Sequence, residues 1–223
     1  MKNNQLIILM GPPGSGKGTL AQACEKNYNW ANVCLGDLCR AEVKKGTSEG
    51  KEIGAIIDRG EIPPASLLFS SIEKMLCTEI KQQQTTKKNI IIDGFPRNVE
   101  TFNVFWNFIN KIHYSKNNIQ FIIFQSTLAT ISQRLSQRMT CSNTQCNAVY
   151  TVSVNEKPLC NKCFNPLKKR SDDSPELWTK RVQAYEKNKD EVILLLQKNN
   201  LHYAFLDAEG SIDKVHTMFL SLL

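Results

Sequence analysis

Residues 6–19 read Leu-Ile-Ile-Leu-Met-Gly-Pro-Pro-Gly-Ser-Gly-Lys-Gly-Thr, and this stretch decides the fold. Its first five residues are apolar, a run too short for a membrane-spanning helix, and they predict a strand that is buried on both faces. A glycine-rich segment follows and leads into a helix-forming sequence at Thr19. A strand, a glycine-rich loop and a helix in this order predict a phosphate-binding loop.

The loop supplies the groups that an anionic phosphate requires. Glycines let the backbone curl so that several N–H groups point inward, and the N-terminus of the following helix adds a favourable dipole. The predicted phosphate-binding residues are Gly14, Ser15, Gly16, Lys17, Gly18 and Thr19. The alternative is a structural glycine-rich turn, but Gly11, Gly16 and Lys17 all fit the phosphate-binding spacing.

Beyond this loop, hydrophobic patterning alternates between strands and helices. Further strands are predicted at residues 31–35, 89–92, 119–125 and 202–206. Helices are predicted at residues 38–43 with Asp37 as the N-cap, and at 46–60, 65–83, 98–112, 127–137, 175–199 and from 211 onward. This alternation predicts the α/β class, a three-layer core in which helices cover both faces of a parallel sheet.

Size, charge and hydropathy narrow the class of protein. At 223 residues the chain is long enough for one core with small inserted modules. It shows no apolar run of ~18–20 residues and no signal-peptide pattern, so we expect a cytoplasmic protein without membrane contact. The net charge of +7 would allow nucleic acid as a partner. Most of the basic residues are lysines, however, and six of the seven arginines lie in the motifs described below, which favours a small anionic ligand.

Four of the eight cysteines form a cluster in sequence. Cys141, Cys146, Cys160 and Cys163 fall within 23 residues, with gaps of four, thirteen and two residues between them. In a reducing compartment such a cluster predicts a metal site rather than disulfides. Four thiolates suit tetrahedral Zn²⁺, which would be structural because closed coordination leaves no position for a reacting water.

Four more motifs follow the phosphate loop. They are Gly36-Asp37-Leu38-Cys39-Arg40, Asp93-Gly94-Phe95-Pro96-Arg97, Arg134-Leu135-Ser136-Gln137-Arg138, and Arg170-Ser171-Asp172-Asp173 with Arg181 eight residues on. Together with the loop, in which Gly18 replaces the usual Ser or Thr after the lysine, they cover nearly the whole chain. This set resembles the nucleoside monophosphate kinases, and in particular the long-lid, zinc-bearing adenylate kinases.

The resemblance implies reversible phosphoryl transfer from ATP to AMP, giving two ADP, with Mg²⁺ bound alongside ATP. The residues that it places at the exchanged phosphates or their Mg²⁺ are Lys17, Asp93, Arg97, Arg134, Arg138, Arg170 and Arg181. Besides the phosphate loop, the residues that it places against ATP are Arg138, Val149, Tyr150 and Gly210. Those that it places against AMP are Leu35, Arg40, Glu61, Ile62, Pro63, Gly94, Phe95, Pro96, Arg97, Thr101, Arg170 and Arg181. Surface ion pairs are the alternative for the arginines, and packing inside the lid is the alternative for Tyr150.

The resemblance also implies a division of the chain into three parts. The core comprises residues 1–33, 64–136 and 174–223, the AMP-binding insertion residues 34–63, and the lid with the four cysteines residues 137–173. Both insertions are expected to close over the substrates in a monomeric enzyme, with hinges near Gly36, Gly60, Arg138 and Asp173. Two interpretations of Asp172 and Asp173 stay open, as partners of the lid arginines or as a solvated helix N-terminus.

Some positions depart from the family pattern. Leu35 stands where Thr is usual, and Thr101 stands where Gln usually reaches the adenine. The motif Asp93-Gly94-Phe95-Pro96-Arg97 followed by Asn98 also resembles that of the uridylate–cytidylate kinases, although those enzymes have a short lid without cysteines. The first cysteine pair has a four-residue gap where the family usually has two. The phosphate chemistry is therefore better supported than adenine as the acceptor base.

Two further classes compete with this interpretation. Zinc-containing thymidine kinases also join a phosphate loop to cysteines, but they lack Asp-Gly-Phe-Pro-Arg and place Ser or Thr directly after the lysine. A zinc-ribbon ATPase that binds nucleic acid should interleave aromatic and basic residues between Cys141 and Cys163, where few occur.

Overall fold

A five-stranded parallel sheet forms the centre of the computed structural model, which describes residues 4–86, 88–143, 146, 148–152 and 159–223. Its strands are β1 (Leu6–Met10), β2 (Ala31–Cys34), β3 (Ile90–Asp93), β4 (Ile119–Gln125) and β8 (His202–Asp207). They lie side by side in the order β2-β3-β1-β4-β8. Every residue of β1 is buried, because this strand has neighbours on both sides and helices over both faces.

Helices cover the two faces of the sheet. One face packs against α1 (Lys17–Tyr28) and α8 (Ile212–Ser221). The other packs against α4 (Ala65–Thr86), α5 (Val99–Lys111) and the C-terminal half of α7 (Pro175–Lys198). A nine-residue helix, α6 (Leu128–Ser136), packs on α7 through Ile131, Leu135 and Val182. The predicted α/β class with a parallel sheet is confirmed.

Two smaller groups of elements lie outside these layers. Helices α2 (Leu35–Lys45) and α3 (Ser48–Asp58) occupy the chain between β2 and α4. Strands β5 (Arg138–Cys141), β6 (Val149–Thr151) and β7 (Leu167–Lys168) form a separate antiparallel sheet in the order β6-β5-β7. No helix in the described part of the chain combines the length and apolarity needed to cross a bilayer.

The prediction that Asp37 is an N-cap is wrong. Helix α2 begins at Leu35, with Cys34 in an extended conformation as its N-cap, so Asp37 falls in the first helical turn. There its carboxylate accepts a hydrogen bond from the Arg40 Nη2 group at 2.5 Å. An acidic side chain in the first turn favours the helix dipole as a cap would, which is why the sequence pattern was ambiguous.

The other helices begin and end close to their predicted limits. Their N-cap side chains accept a backbone N–H three residues on, at Thr47, Asn98, Thr127, Ser174 and Ser211. Such caps supply a partner for an otherwise unpaired N–H group at the helix start. Helix α4 extends three residues beyond its predicted end at Gln83.

Candidate active site

A cavity of about 550 Å³ lies at the carboxyl edge of the central sheet. Its walls come from the loops that follow β1, β3 and β8, from the start of α2 and the segment after α3, from the small antiparallel sheet and from one side of α7. In open α/β sheets the carboxyl ends of the strands form the usual ligand-binding crevice. The loop after β1 is the predicted phosphate-binding loop.

The Lys17 side chain folds over this loop. Its Nζ group donates hydrogen bonds to the carbonyls of Gly11 and Pro12, both at 2.8 Å, and to Ser15 Oγ at 3.1 Å. Burial lowers the pKa of Lys17 to about 8, although the nearby Asp93 carboxylate opposes that shift. The ammonium group is therefore poorly solvated, and an anionic oxygen in the cavity would stabilise its charged form.

Two glycines of the loop explain how closely it is packed. Gly14 has a φ of +80°, and a Cβ atom there would lie 2.8 Å from Leu135 Cγ of α6. At Gly18, the residue that replaces the usual Ser or Thr, an added Cβ would lie 3.3 Å from Asp93 Oδ2. A larger residue at this position would crowd the Asp93 carboxylate at the end of β3.

The segment after β3 holds Arg97 from two directions. The Arg97 Nε group donates to the Gly94 carbonyl at 2.7 Å, and the backbone N–H of Arg97 donates to Thr101 Oγ1 at 2.9 Å. Asn98 and Thr101 form a capping box at the start of α5. The backbone of the Arg97 turn is thus anchored to a helix that packs in the core.

Two other arginines are held by acidic partners. Arg138, at the start of β5, forms a two-pronged ion pair with Asp173, whose side chain is 1% exposed. Arg181 on α7 donates to Asp172 Oδ2 at 2.7 Å. Asp172 and Asp173 therefore act as partners of the arginines rather than as a solvated helix N-terminus.

The arginines lie close enough to influence one another. Burial, together with repulsion from Arg40 and Arg138, lowers the pKa of Arg170 to about 10. Burial also lowers the pKa of Arg181, and the nearby charges of Arg97 and Arg138 act in the same direction. Cations from separate parts of the chain thus lie around one cavity, and a bound polyanion would relieve the repulsion between them.

Arg134 has a different environment. Its guanidinium donates to the carbonyls of Ser15 at 3.3 Å, Ala208 at 2.8 Å and Gly210 at 3.3 Å. These contacts tie the phosphate loop to the loop after β8. Arg134 still lines the cavity, as does Gly210.

Most of the predicted site residues line this cavity. They are Gly14, Ser15, Gly16, Lys17, Gly18, Thr19, Arg40, Glu61, Ile62, Asp93, Gly94, Pro96, Arg97, Arg134, Arg138, Val149, Tyr150, Arg170, Arg181 and Gly210. Glu61 does so while its carboxylate pairs with the exposed Arg59 at 3.0 Å.

Four residues predicted to contact AMP do not line the cavity, and all are buried: Leu35, Pro63, Phe95 and Thr101. Leu35 and Phe95 pack in the large core cluster under α2, α4 and α5. Thr101 is 3% exposed, and its hydroxyl is used inside the capping box.

Sequence reasoning missed other lining residues, among them Asn32, Cys34, Tyr185 and Lys189. Tyr185 lies one helical turn after Arg181, so the i, i+4 spacing could have identified it. Its buried hydroxyl has no hydrogen-bond partner within the described ranges. The Cys34 thiol lies 3.9 Å from Asp93 Oδ2, and burial raises its pKa to about 12.

The four clustered cysteines meet in space. All four Sγ atoms lie within 4.8 Å of one another, with Cys141 and Cys163 at 3.3 Å and Cys146 and Cys160 at 3.6 Å. Thiolates at the ~2.3 Å distance typical of zinc would be separated by roughly 3.8 Å, so this donor set fits a tetrahedral ion. Tyr150, which lines the cavity, lies with its hydroxyl 3.2 Å from Cys160 Sγ.

Comparison with known proteins identifies the family. The family model described as adenylate kinase matches residues 9–201. The chain is 32% identical over 220 residues to the adenylate kinase of Borrelia turicatae (strain 91E135), covering 97% of this chain and 98% of that one. It is 33% identical over 220 residues to that of Pyrococcus abyssi (strain GE5 / Orsay), with 97% and 94% covered. The match to the Chlamydia pneumoniae enzyme is 32% over 193 residues, with 86% and 85% covered. With the phosphate loop and the arginines gathered around one cavity, these matches show that the chain belongs to the adenylate kinase family.

Proposed function

We propose that this protein transfers the terminal phosphoryl group of ATP to AMP, in a reversible reaction that gives two ADP. The observation that carries the proposal is the convergence of Lys17 with Arg97, Arg138, Arg170 and Arg181 around one cavity. Phosphoryl transfer requires positioning and neutralisation of charge more than covalent chemistry by the protein. Each charge-assisted contact contributes roughly 1.5–3 kcal/mol, and more as charge develops in a site that excludes water.

The proposed roles follow the position of each group. The phosphate loop and Lys17 hold the donor phosphates, while Arg40 and Arg97 hold the phosphate of AMP. Arg138, Arg170 and Arg181 surround the group in transit. No general base is required, because the attacking atom is an anionic phosphate oxygen.

Magnesium is the proposed partner of the ATP phosphates. Mg²⁺ in such sites binds one or two carboxylates, waters and phosphate oxygens. The Asp93 carboxylate, buried at the end of β3 and within reach of the phosphate loop, fits that role. The ion would neutralise the phosphates and fix their geometry when it is bound.

Zinc is proposed at the four cysteines, where it would be structural. Support comes from the approach of the four Sγ atoms. Large buried side chains are also scarce around them within the described ranges, where the buried members of the local core are Cys141, Ala148 and Cys160. A module with so little apolar core gains much of its stability from an ion.

The reduced thiols that such a site requires support a cytoplasmic location, and we propose that the enzyme acts there as a monomer.

Residues 34–63 and 137–173 are proposed to close over the two nucleotides. Closure excludes water, which would otherwise accept the phosphoryl group. Both segments carry cavity arginines, Arg40 in the first and Arg138 and Arg170 in the second, and these charges are close enough to affect one another. A non-hydrolysable ligand joining both nucleotides should reduce the scattering dimensions, and unchanged dimensions would count against closure.

AMP is the proposed acceptor, with weaker discrimination against other bases than is usual in the family. Leu35 and Thr101 are buried away from the cavity, whereas Ile62 and the backbone around it line the wall. A net hydrogen bond contributes about 0.5–1.5 kcal/mol, so the lack of two side-chain contacts would weaken selectivity without abolishing it. Asn98 does not favour a pyrimidine acceptor, because its side chain caps α5.

A coupled assay of ADP formation tests the acceptor. We expect the highest kcat/KM with AMP, with measurable turnover for GMP, CMP and UMP. A higher kcat/KM with UMP or TMP than with AMP would overturn the assignment of AMP. Elemental analysis of protein purified under reducing conditions should find one zinc per chain, and metal-free protein of full stability would exclude the zinc site.

A further inference from the structure

The Thr101 hydroxyl is fully used by the turn that carries Arg97. It accepts the backbone N–H groups of Arg97 at 2.9 Å and Asn98 at 3.0 Å. It also donates to Asn98 Oδ1 at 2.7 Å. A hydroxyl has one donor and two acceptor positions, so none is left for a ligand.

These contacts fix the position of the backbone from which the Arg97 side chain extends. The turn between β3 and α5 has Arg97 held by Thr101 at its backbone and by the Gly94 carbonyl at its Nε group. Removing the hydroxyl would leave two N–H groups without their partner and release one side of the turn. The guanidinium would then sample more orientations before it meets a phosphate.

The same helical turn anchors a second part of the acceptor side. The Glu100 carboxylate accepts the backbone N–H of Ala65 at 3.1 Å, at the start of α4. Ala65 lies two residues after the end of the segment 34–63, which contains Arg40. The first turn of α5 thus fixes both the Arg97 turn and the point at which this segment rejoins the core.

We propose that Thr101 is a positioning residue for the acceptor phosphate: it holds the Arg97 turn in its binding geometry and does not contact the acceptor base. The inference rests on the proposed role of Arg97 in binding that phosphate. Thr101 would thus serve the same reaction by positioning Arg97, although the family resemblance predicts a side chain that contacts the base at this position.

Another capping threonine provides a matched control. Thr127 caps α6 by accepting the backbone N–H of Thr130 at 3.3 Å, and none of its described hydrogen bonds involves a cavity arginine. Thr127→Val therefore removes a helix cap, whereas Thr101→Val removes the Thr101 half of the α5 capping box together with a support of Arg97. Thr101→Ser retains the hydroxyl.

Equilibrium dissociation constants, measured without turnover, provide the test. In Thr101→Val we expect the Kd values for AMP, GMP, CMP and UMP to rise by one common factor, about three- to tenfold for one lost support. The Kd for ATP should stay unchanged, Thr101→Ser should restore all four acceptors, and Thr127→Val should alter none. In the wild-type protein the Arg97 amide should be protected from hydrogen exchange, a measurement that does not depend on the folding of any variant.

Several results would overturn the proposal. An unchanged Kd for the acceptors in Thr101→Val, or an exchanging Arg97 amide, would show that the hydroxyl does not hold this turn. A rise confined to AMP would show that Thr101 contacts the base, and an equal loss for ATP would show general damage. The proposed preference for AMP is judged separately, from the rank of the acceptors in the wild-type protein, so the two can fail independently.

Discussion

The two ends of the nucleotide cavity are built in different ways. The phosphate-loop end comes from one continuous stretch, residues 11–19, attached to a strand whose residues are all buried. The lid end receives Arg138, Arg170 and Arg181 from three separate parts of the chain. Asp172 and Asp173 hold two of these arginines, and the four clustered thiols lie beside the small antiparallel sheet, whose strand β5 ends at Cys141.

The two ends are therefore held in place by different interactions. Packing of β1, α1 and α6 fixes the phosphate loop, so its geometry is set before any nucleotide binds. Ion pairs and cysteines hold the lid end, where the described residues bury little apolar surface. Regions with few buried apolar contacts open at lower free-energy cost than the core. We therefore expect a change at the phosphate-loop end to act mainly on chemistry, and loss of the groups that hold the lid end to act first on local stability.

The largest expected effect comes from removing the cation at the phosphate-loop end. Lys17→Met should lower kcat/KM by about a hundredfold or more, because a buried charge next to the transferred group is lost. Its melting temperature should stay close to that of the wild-type protein, since the buried ammonium costs desolvation energy in the empty site. Lys26→Met, on the exposed face of α1, is the matched control and should keep full activity. Equal activity of both variants would contradict the assigned role of Lys17.

At the lid end, the corresponding change should act on stability. Asp173→Asn should lower the free energy of unfolding by about 3 kcal/mol, because it leaves the Arg138 charge without its partner in a buried pair. Asp172→Asn should cost less, since its side chain is 12% exposed against 1% for Asp173. Denaturant titration measures both values. The reverse order would show that burial does not govern these pairs.

Metal removal should reveal a difference in local stability between the two ends. After chelation, amides of β5, β6 and β7 should exchange about tenfold faster or more, because metal binding and local folding are coupled. Amides of β1 and β3 should keep their protection. If both sheets lost protection together, the cysteine cluster would be stabilising the whole fold and the contrast between the ends would be wrong.

The smallest effect is expected from pH at the phosphate-loop end. The pKa of Lys17 is lowered to about 8 by burial, so its charge is lost as pH rises through that value. Bound phosphate favours the charged form, so affinity for ATP should be full at lower pH and fall by up to about tenfold toward pH 9. Lys17→Arg stays protonated over this range and should show a flat profile. A wild-type Kd that does not change with pH would contradict the lowered pKa.

The same contrast explains what the sequence could predict. The buried strands, the phosphate loop and most helix limits depend on neighbouring residues, so periodicity and caps indicated them. The prediction for Asp37 is wrong because an acidic residue serves equally as an N-cap or in the first turn, and only the start of α2 at Leu35 distinguishes the two.

Contacts between distant residues were harder to predict. The pairing of Asp173 with Arg138 spans 35 residues and depends on how β5 meets the start of α7. Leu35 and Thr101 were assigned to the acceptor by resemblance, but core packing and a capping box use these side chains instead. Sequence motifs thus identified the cations of the site, while the groups that hold them required the tertiary structure.

The most direct test of transfer between two nucleotides compares ATP consumption with and without AMP, with Mg²⁺ present and products quantified by chromatography. We expect two ADP for each ATP consumed when AMP is present. Consumption should be at least about a hundredfold slower when AMP is absent, because the proposed closure would exclude water as an acceptor. ATP consumption at the same rate without AMP, with inorganic phosphate as the product, would contradict phosphoryl transfer to AMP.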